Sequence, residues 1–479
     1  MADVTLSAEV ALTQADYLMN KVMERMFTVQ HAVFGNTSRF ITKRTAVHRS
    51  TTVKFLVGNM SGALAESDLE SDAGDATSEK VEELEITRDY LRKISTSLKH
   101  SVAAGELVDG SDPAIMNIAT RHAVKAVRVL DQKEDFLLNS DADAVKAIVR
   151  AVYSGTGGVY SQADSCVVTL KNGSVCNFTP YEAICWRSAG TDRDQSSTKY
   201  EAVVMDVFED GNVDGTDLTY PALRLGLSSR DANVTSFDTL AADDELVHYG
   251  DLQTKGFDAG FQALATPAST YFGVTRTDAG KNYLNAFNKD FSSGGVDQEL
   301  DLTALFDWLA GTLDLHIGPT RAELEQERKT FTGALVCQVP PALMPSIERQ
   351  CGDSSRRWTV EPVRNIQDAK LKKVIAVYGY DGQVVKTMSL PPIAFVREHL
   401  MRPDTVRLFA PEIMEWLQLG TTSRSPTWLA NDANGRWHTR RNVTTGNLSP
   451  YKDAYCWRIL APFCRVPKLV AQATGMAAG

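Results

Sequence analysis

SDPAIMNIATRHAVKAVRVLDQKEDFLL, residues 111–138, is the stretch whose reading decides the fold. Ser111-Asp112-Pro113 supplies a capping side chain and a proline for the first helical turn, where the missing N–H costs nothing. From Pro113 to Leu138 nothing breaks a helix. Ile115, Ile118, Val127 and Leu130 provide apolar positions, and Ala119, Ala123 and Ala126 allow close packing. About 26 residues at 1.5 Å each make a rod of roughly 39 Å. That exceeds an average globular helix and suits a structural spine.

Working upstream, Thr51-Thr52-Val53-Lys54-Phe55-Leu56-Val57 is rich in β-branched and aromatic types and predicts a strand. Its partner is expected within Leu84–Leu98, where Ile86, Tyr90 and Ile94 fall on one side. Between the two lies an acidic tip: Glu66, Asp68, Glu70, Asp72, Asp75, Glu79, Glu82 and Glu83. Such a run cannot bury apolar surface, so it is solvated or faces a basic partner. A basic stretch precedes the hairpin, with Arg39, Lys43, Arg44, Arg49 and Lys54. No acid occurs between Glu24 and Glu66. Further upstream, Leu12, Ala15, Met19, Val22 and Met26 form an apolar stripe over residues 8–29. It reads either as a helix on its own core or as an arm docked on a neighbouring subunit.

Working downstream, residues 155–265 carry short β-like runs and many turn residues, and predict a β-rich insertion. Within it, Asp210, Asn212 and Asp214 alternate as oxygen ligands do in the first half of a calcium loop. The twelfth position is Pro221 where that loop needs a bidentate Glu, so the plain acidic turn is the preferred reading. After Pro267 the pattern is mixed again. A helix is expected at Leu302–Leu315, with Leu305, Leu309 and Leu313 aligned, and a strand at Phe331–Val339. A short helix is expected near Met344–Arg349. Asp381-Gly382 predicts a hairpin between strands at Lys373–Tyr380 and Gln383–Met388. Val406–Phe409, His438–Val443 and Tyr455–Leu460 complete the expected strands, and Ala471–Gly479 reads as a loose small-residue tail.

The chain of 479 residues has 43% hydrophobic content, ample for real cores and for two or three lobes. A net charge of −10 argues against a dedicated nucleic-acid reader, though not against a container for nucleic acid. The opening MADVTLSAEV lacks a secretory pattern, and no run of about 18 apolar residues occurs, so no membrane span is expected. Seven cysteines without a CxxC pair read as free thiols in a reducing cytosol.

The sequence has no GxSxG elbow, Walker loop, HExxH or GxGxxG. The eight histidines are scattered, and Gly155-Thr156-Gly157-Gly158 lacks the lysine that a phosphate loop needs. No cofactor and no enzymatic activity are expected. The positive features are mechanical: an arm, a long hairpin and a spine helix. Ordering such elements costs backbone entropy that is recovered by burial against neighbours. Closed assemblies of identical subunits follow from that logic.

The order of these elements resembles the Hong Kong 97-type fold of tailed-phage major capsid proteins. Thr51–His100 resembles the E-loop hairpin, and Asp112–Leu138 the spine helix of the peripheral P-domain. Tyr271-Phe272-Gly273-Val274-Thr275-Arg276 is similar to the segment that enters the axial A-domain in several capsid families. Arg407–Pro411, Arg440–Val443 and Tyr455–Pro467 resemble the strands that close such chains. The resemblance implies an α+β fold divided as follows. Residues 1–50 form an N-terminal arm, 51–100 the E-loop, and 101–154 the spine and the start of the A-domain. Residues 155–265 are the β-rich insertion, 266–380 the A-domain, and 381–479 P-domain strands and tail.

It further implies self-assembly into hexamers and pentamers of an icosahedral head around double-stranded DNA. A scaffold or maturation protease, a portal and a decoration protein are the partners expected in the virion, with synthesis in the host bacterial cytoplasm. The basic residues Arg39, Lys43, Arg44 and Arg49 would meet Glu66, Asp68, Glu70 and Asp72 of a neighbour. Some relatives crosslink through Lys and Asn; here Lys80 is the one weak candidate and no pair is assigned. The rival readings are an encapsulin-like compartment with protein cargo, a hydrolase or lyase with a β-rich substrate domain, and another virion component.

Overall fold

A computed structural model describes residues 41–54, 83–101, 130–153, 165–187, 201–227, 237–248 and 256–326. It continues through 334–351, 359–362, 383–419, 427–428, 438–441 and 448–477, with short breaks inside those spans. The expected helix at 8–29, the acidic tip as far as Glu82, the first part of the spine and the Asp381-Gly382 turn lie outside the described residues.

Along the chain, β1 (Lys43–Val47), β2 (Ser50–Lys54), β3 (Glu83–Thr87) and β4 (Arg92–Ser101) come first. Residues 130–139 form helix α1. Eight strands follow: β5 (Ala147–Tyr153), β6 (Ser165–Gly173), β7 (Ala183–Arg187), β8 (Glu201–Phe208), β9 (Asn212–Val213), β10 (Thr216–Asp217), β11 (Ala222–Leu227) and β12 (Glu245–His248). The main body resumes with α2 (Phe261–Ala265), β13 (Thr270–Tyr271), β14 (Val274–Thr275), β15 (Phe287–Asp290), β16 (Gln298–Glu299) and α3 (Leu302–Gln326). Then come β17 (Leu335–Val339), α4 (Met344–Cys351), β18 (Thr359–Pro362), β19 (Gln383–Lys386), β20 (Ile393–Arg397), β21 (Val406–Phe409) and β22 (Met414–Leu419). The last strands are β23 (Thr427–Trp428), β24 (His438–Arg441), β25 (Leu448–Cys464), β26 (Val470–Thr474) and β27 (Met476–Ala477).

These strands build three main bodies. A mixed sheet runs β15-β26-β21-β17-β20-β19-β18. Its central strand β17, Leu-Val-Cys-Gln-Val, is buried at every position, as a strand covered on both faces should be. Helix α3 packs against β26 and lays Leu302, Leu305, Leu309, Leu313 and Ile317 into the core. Burying each such side chain stabilises the fold by about 1.5–3 kcal/mol. A second sheet is gathered on β25, which pairs with β22, β23, β24 and β4, while β1 adds parallel to β22. The third body is a closed barrel, β11-β6-β5-β12-β7-β8. Val149, Val168, Leu170, Trp186, Val204 and Leu225 belong to its own core, separate from the main one.

Several expectations change here. The barrel is already under way at Ala147, ahead of the boundary at 155, because Ala147 and Val149 continue its inward alternation. It ends at His248, and α2 belongs to the main core through Phe261 and Leu264. The hairpin partner is only β3. A 3₁₀ turn at Arg88–Tyr90 ends it, and β4 departs to run antiparallel to β25 from Ser101↔Tyr451 to Arg92↔Leu460. Tyr90 is held instead edge-on to Phe272, with ring centroids 5.6 Å apart.

The expected loose tail is a buried strand. β26 lies between β15 and β21, and Ala471 and Ala473 have no exposed surface. Small side chains are what this crowded position accepts, so low bulk signals close packing here and not mobility. β19 is flanked by β20 and β18.

Candidate assembly surfaces and their anchors

The β2–β3 ladder runs from Ser50↔Thr87 to Lys54↔Glu83 as a two-stranded ribbon, with no third strand among the described residues. Its root is fixed because Ile86 is fully buried in the main core, while Thr52 and Glu85 are exposed. The Arg88 amide donates to the Arg49 carbonyl at 3.2 Å and closes the base. A ribbon of two strands is marginal in water and needs packing from outside.

β25 carries the second long feature. Its 17 residues span roughly 56 Å at 3.3 Å per residue, against a usual strand of five or six. From Arg458 onward it is buried in the main body, apart from half-buried Ile459. The earlier part is laced to β4 and β24.

Two buried arginines tie α1 to this framework. Arg458 Nη1 donates to Asp131 Oδ1 at 2.6 Å and to Glu134 Oε2 at 2.9 Å. The Glu134 side chain has no exposed surface, so the pair must be kept or replaced together. Arg407 Nη1 donates to Asn139 Oδ1 at 2.8 Å, and its Nε and Nη2 donate to Gln472 Oε1 at 3.2 and 2.9 Å. Its guanidinium lies over the Phe261 ring, 5.1 Å from the centroid. Burial lowers its pKa to about 9.

The Tyr271–Arg276 segment is a tight hairpin. Phe272 and Gly273 both have positive φ, 46° and 82°, the geometry of a turn matched to strand twist. A Cβ on Gly273 would collide with the Tyr90 hydroxyl. The Tyr271 hydroxyl donates to the Cys464 carbonyl at 2.9 Å and accepts from the Cys464 amide at 3.1 Å. Burial pushes this phenol well above its ordinary range. Arg276 is buried and caps the end of α2, donating to the carbonyls of Leu264 at 3.0 Å, Thr266 at 2.7 Å and Ala263. Carbonyls at a helix end need such outside donors, and here Arg276 adds to the Thr266 amide on the Ala263 carbonyl and to the Ala286 amide on that of Leu264.

Of the residues proposed for inter-subunit contact, Arg39, Glu66, Asp68, Glu70 and Asp72 lie outside the described residues. Lys43 and Arg44 are in β1, opposite Glu415 and Trp416 of β22 in the parallel ladder. Arg49 is exposed at the link between β1 and β2. Thr45 Oγ1 donates to the buried Glu415 at 3.1 Å, which fixes β1 in register.

Asp210, Asn212 and Asp214 occupy the β9–β10 hairpin. Asp210 Oδ1 accepts from the Asn212 amide and Asn212 Oδ1 from the Gly215 amide, each at 3.0 Å, while Arg224 engages the Asp214 carboxylate. All three acids and amides are thus used within the turn and its neighbouring strand. Among the described residues no group of three His, Cys, Asp or Glu side chains is placed to hold a metal. No helix among them is long and apolar enough to cross a membrane.

The sequence reading singled out the segment ending in Arg276 but gave no anchoring role to Glu134, Arg407, Arg458 or Gln472. A charge inside an otherwise apolar strand, as in Val406-Arg407-Leu408-Phe409, is a local signal that marks Arg407.

No family model matches the chain, and no curated protein sequence matches it. The chain is similar to solved capsid subunits. The capsid asymmetric unit of cyanophage A-1(L) is 10% identical, with a TM-score of 0.41, covering 94% of this chain and 95% of that one. The capsid of the native GTA particle is 9% identical, with a TM-score of 0.39 and 93% coverage of both chains. The SrpI encapsulin of Synechococcus elongatus PCC 7942 is 6% identical, with a TM-score of 0.35, covering 94% of this chain and 90% of that one.

Proposed function

We propose that this chain is a shell-forming subunit, the major capsid protein of a tailed bacteriophage, built on the Hong Kong 97-type plan. The observation that carries the reading is β25, a 17-residue strand laced to β4 and β24. Such a strand is about three times the usual length and serves a subunit that reaches beyond its own core. The β2–β3 ribbon, rooted by Ile86, supports the same reading.

In this proposal the β2–β3 ribbon and the arm before it cross to adjacent subunits, while residues 266–380 gather about capsomer axes. The barrel is an accessory lobe carried by that body. Apolar burial between subunits holds the shell, and charge sets register. The basic residues Arg39, Lys43, Arg44 and Arg49 meet Glu66, Asp68, Glu70 and Asp72 of a neighbour. Each exposed pair contributes about 0–1 kcal/mol and weakens with salt. The enclosed cargo is double-stranded DNA, touched weakly through phosphates. Portal, scaffold or protease and decoration protein act as further partners.

Negative-stain microscopy of the purified full chain tests this: closed icosahedral particles are expected, and discrete monomers overturn it. Co-purifying genome marks a phage head, whereas a protein cargo marks an encapsulin-like compartment. The double variant Lys43→Glu, Arg44→Glu is expected to lower particle yield, and Arg49→Glu, at the exposed link between β1 and β2, to lower it while leaving the subunit's thermal melting unchanged. Normal yield overturns the charge pairing.

A further inference from the structure

β15 is an edge strand of the large sheet. Phe287, Lys289 and, just past the strand's end, Phe291 fall on one of its faces by alternation. Both rings are half-buried against α3: Phe291 meets Trp308 edge-on with centroids 6.0 Å apart, and Phe287 lies 5.6 Å from the His316 ring. Each ring also holds an ammonium. Lys289 Nζ is 4.5 Å from the Phe291 centroid and Lys468 Nζ 4.7 Å from that of Phe287. Lys468 further donates to Asn282 Oδ1 at 3.3 Å. Lys281 stands at the margin, 5.8 Å from the Tyr283 ring.

Rings and carboxamides hold a cation without cancelling its charge. Among the described residues neither Lys289 nor Lys468 has a carboxylate partner, in a chain whose net charge is −10. Other surface cations are neutralised: Lys171 by Asp243, Arg349 by Glu299 and Arg397 by Glu348. Asp290, next along the strand, falls on the other face by the same alternation, and its Oδ1 accepts from the Ser292 amide at 2.9 Å. Burial lowers the Lys468 pKa, and after burial the Lys468 ammonium is the second cause lowering that of His316. An anion set on this face would relieve both.

We propose that this face is the chain's nucleic-acid surface, where Lys289 and Lys468 each take a backbone phosphate of double-stranded DNA and no base is read. The inference rests on the reading of the chain as a subunit of a DNA-enclosing shell, and it turns this face toward the lumen. Ammonium groups already held over rings lose little freedom on binding. A duplex fits better than a single strand. The rings lie beneath lysines and against α3, so they offer no open platform for stacking bases.

Fluorescence anisotropy tests the proposal, with the full chain kept dilute enough to stay unassembled and two labelled DNA duplexes of unrelated sequence. Affinity is followed from about 50 to about 200 mM salt. Both duplexes should bind equally well. The slope of log affinity against log salt should become shallower by about 1 in Lys289→Gln and again by about 1 when Lys468→Gln is added. Lys289→Arg, which keeps the charge, and Lys171→Gln, at a paired lysine on the barrel, should leave the slope unchanged. Lys289 is exposed, so its single variant reads the contact without threatening the fold. No binding at the lowest salt, an unchanged slope in the Gln variants, or a preference for one sequence overturns the proposal. Tighter binding of a single strand of equal length overturns it too. Negative-stain images of the same preparations, concentrated, separate the two readings. Normal shells with unchanged slopes sink this surface alone, whereas missing shells count against the subunit reading and leave the slopes to decide the surface.

Discussion

Arg458 sets a guanidinium between Asp131 and Glu134 at the buried joint of α1 and β25. Replacing it with Met strands a fully buried carboxylate, so Arg458→Met is expected to cost about 3–5 kcal/mol in chemical denaturation. Adding Glu134→Leu should recover most of that loss, since Asp131 is 40% exposed and can be solvated. His316 offers a pH test. Burial, with the Lys468 ammonium as a second cause, lowers its pKa in the folded protein, where its ring sits 5.6 Å from that of Phe287. The unfolded chain then binds the proton more readily. Stability is full above the ordinary histidine value of about 6.5 and is lost as pH falls from there through the folded value. Melting temperature should drop as pH falls below about 6.5, and less steeply in His316→Gln. Little of this chemistry was legible beforehand, because Arg458 and Glu134 are 324 residues apart in sequence.

At the scale of elements, legibility followed periodicity. α3 was readable because Leu305, Leu309 and Leu313 recur at helical spacing, and all three are fully buried. Leu309→Ala should cost about 2–5 kcal/mol, whereas Leu315→Ala, at a side chain 68% exposed, should cost little. β26 was unreadable for the opposite reason. Val-Ala-Gln-Ala-Thr has neither bulk nor strong alternation, and its place is set by β15 and β21, more than 60 residues away in the nearer case. Ala471→Leu is expected to overpack the sheet by about 1–3 kcal/mol and lower the melting temperature. The parallel docking of β1 on β22 was equally hidden, since Thr45 and Glu415 are separated by 370 positions. The β2–β3 ladder was local and could be read from Thr51–Val53 and Ile86.

Taken as a whole, the molecule joins two non-local sheets to one local barrel. The barrel's first and last strands are antiparallel neighbours, with Ala147 opposite Leu246, so it leaves the body and returns at nearly one point. Replacing residues 147–246 by a short Gly/Ser linker should leave a body that still melts cooperatively; loss of that transition would show the two cores to be interdependent. A β-rich segment could be read from its short runs and turns, but its closure could not, because closure depends on the pairing of β11 with both β6 and β8.

The place of β26 also has a consequence in time. During translation the barrel is contiguous and can close while later codons are still being read, but the large sheet cannot. Until Val470–Thr474 clear the ribosome, β15 has no partner connecting it to β21, and the body waits as two unjoined parts. A nascent chain arrested just short of that strand should therefore carry a folded barrel on an open, chaperone-accessible body.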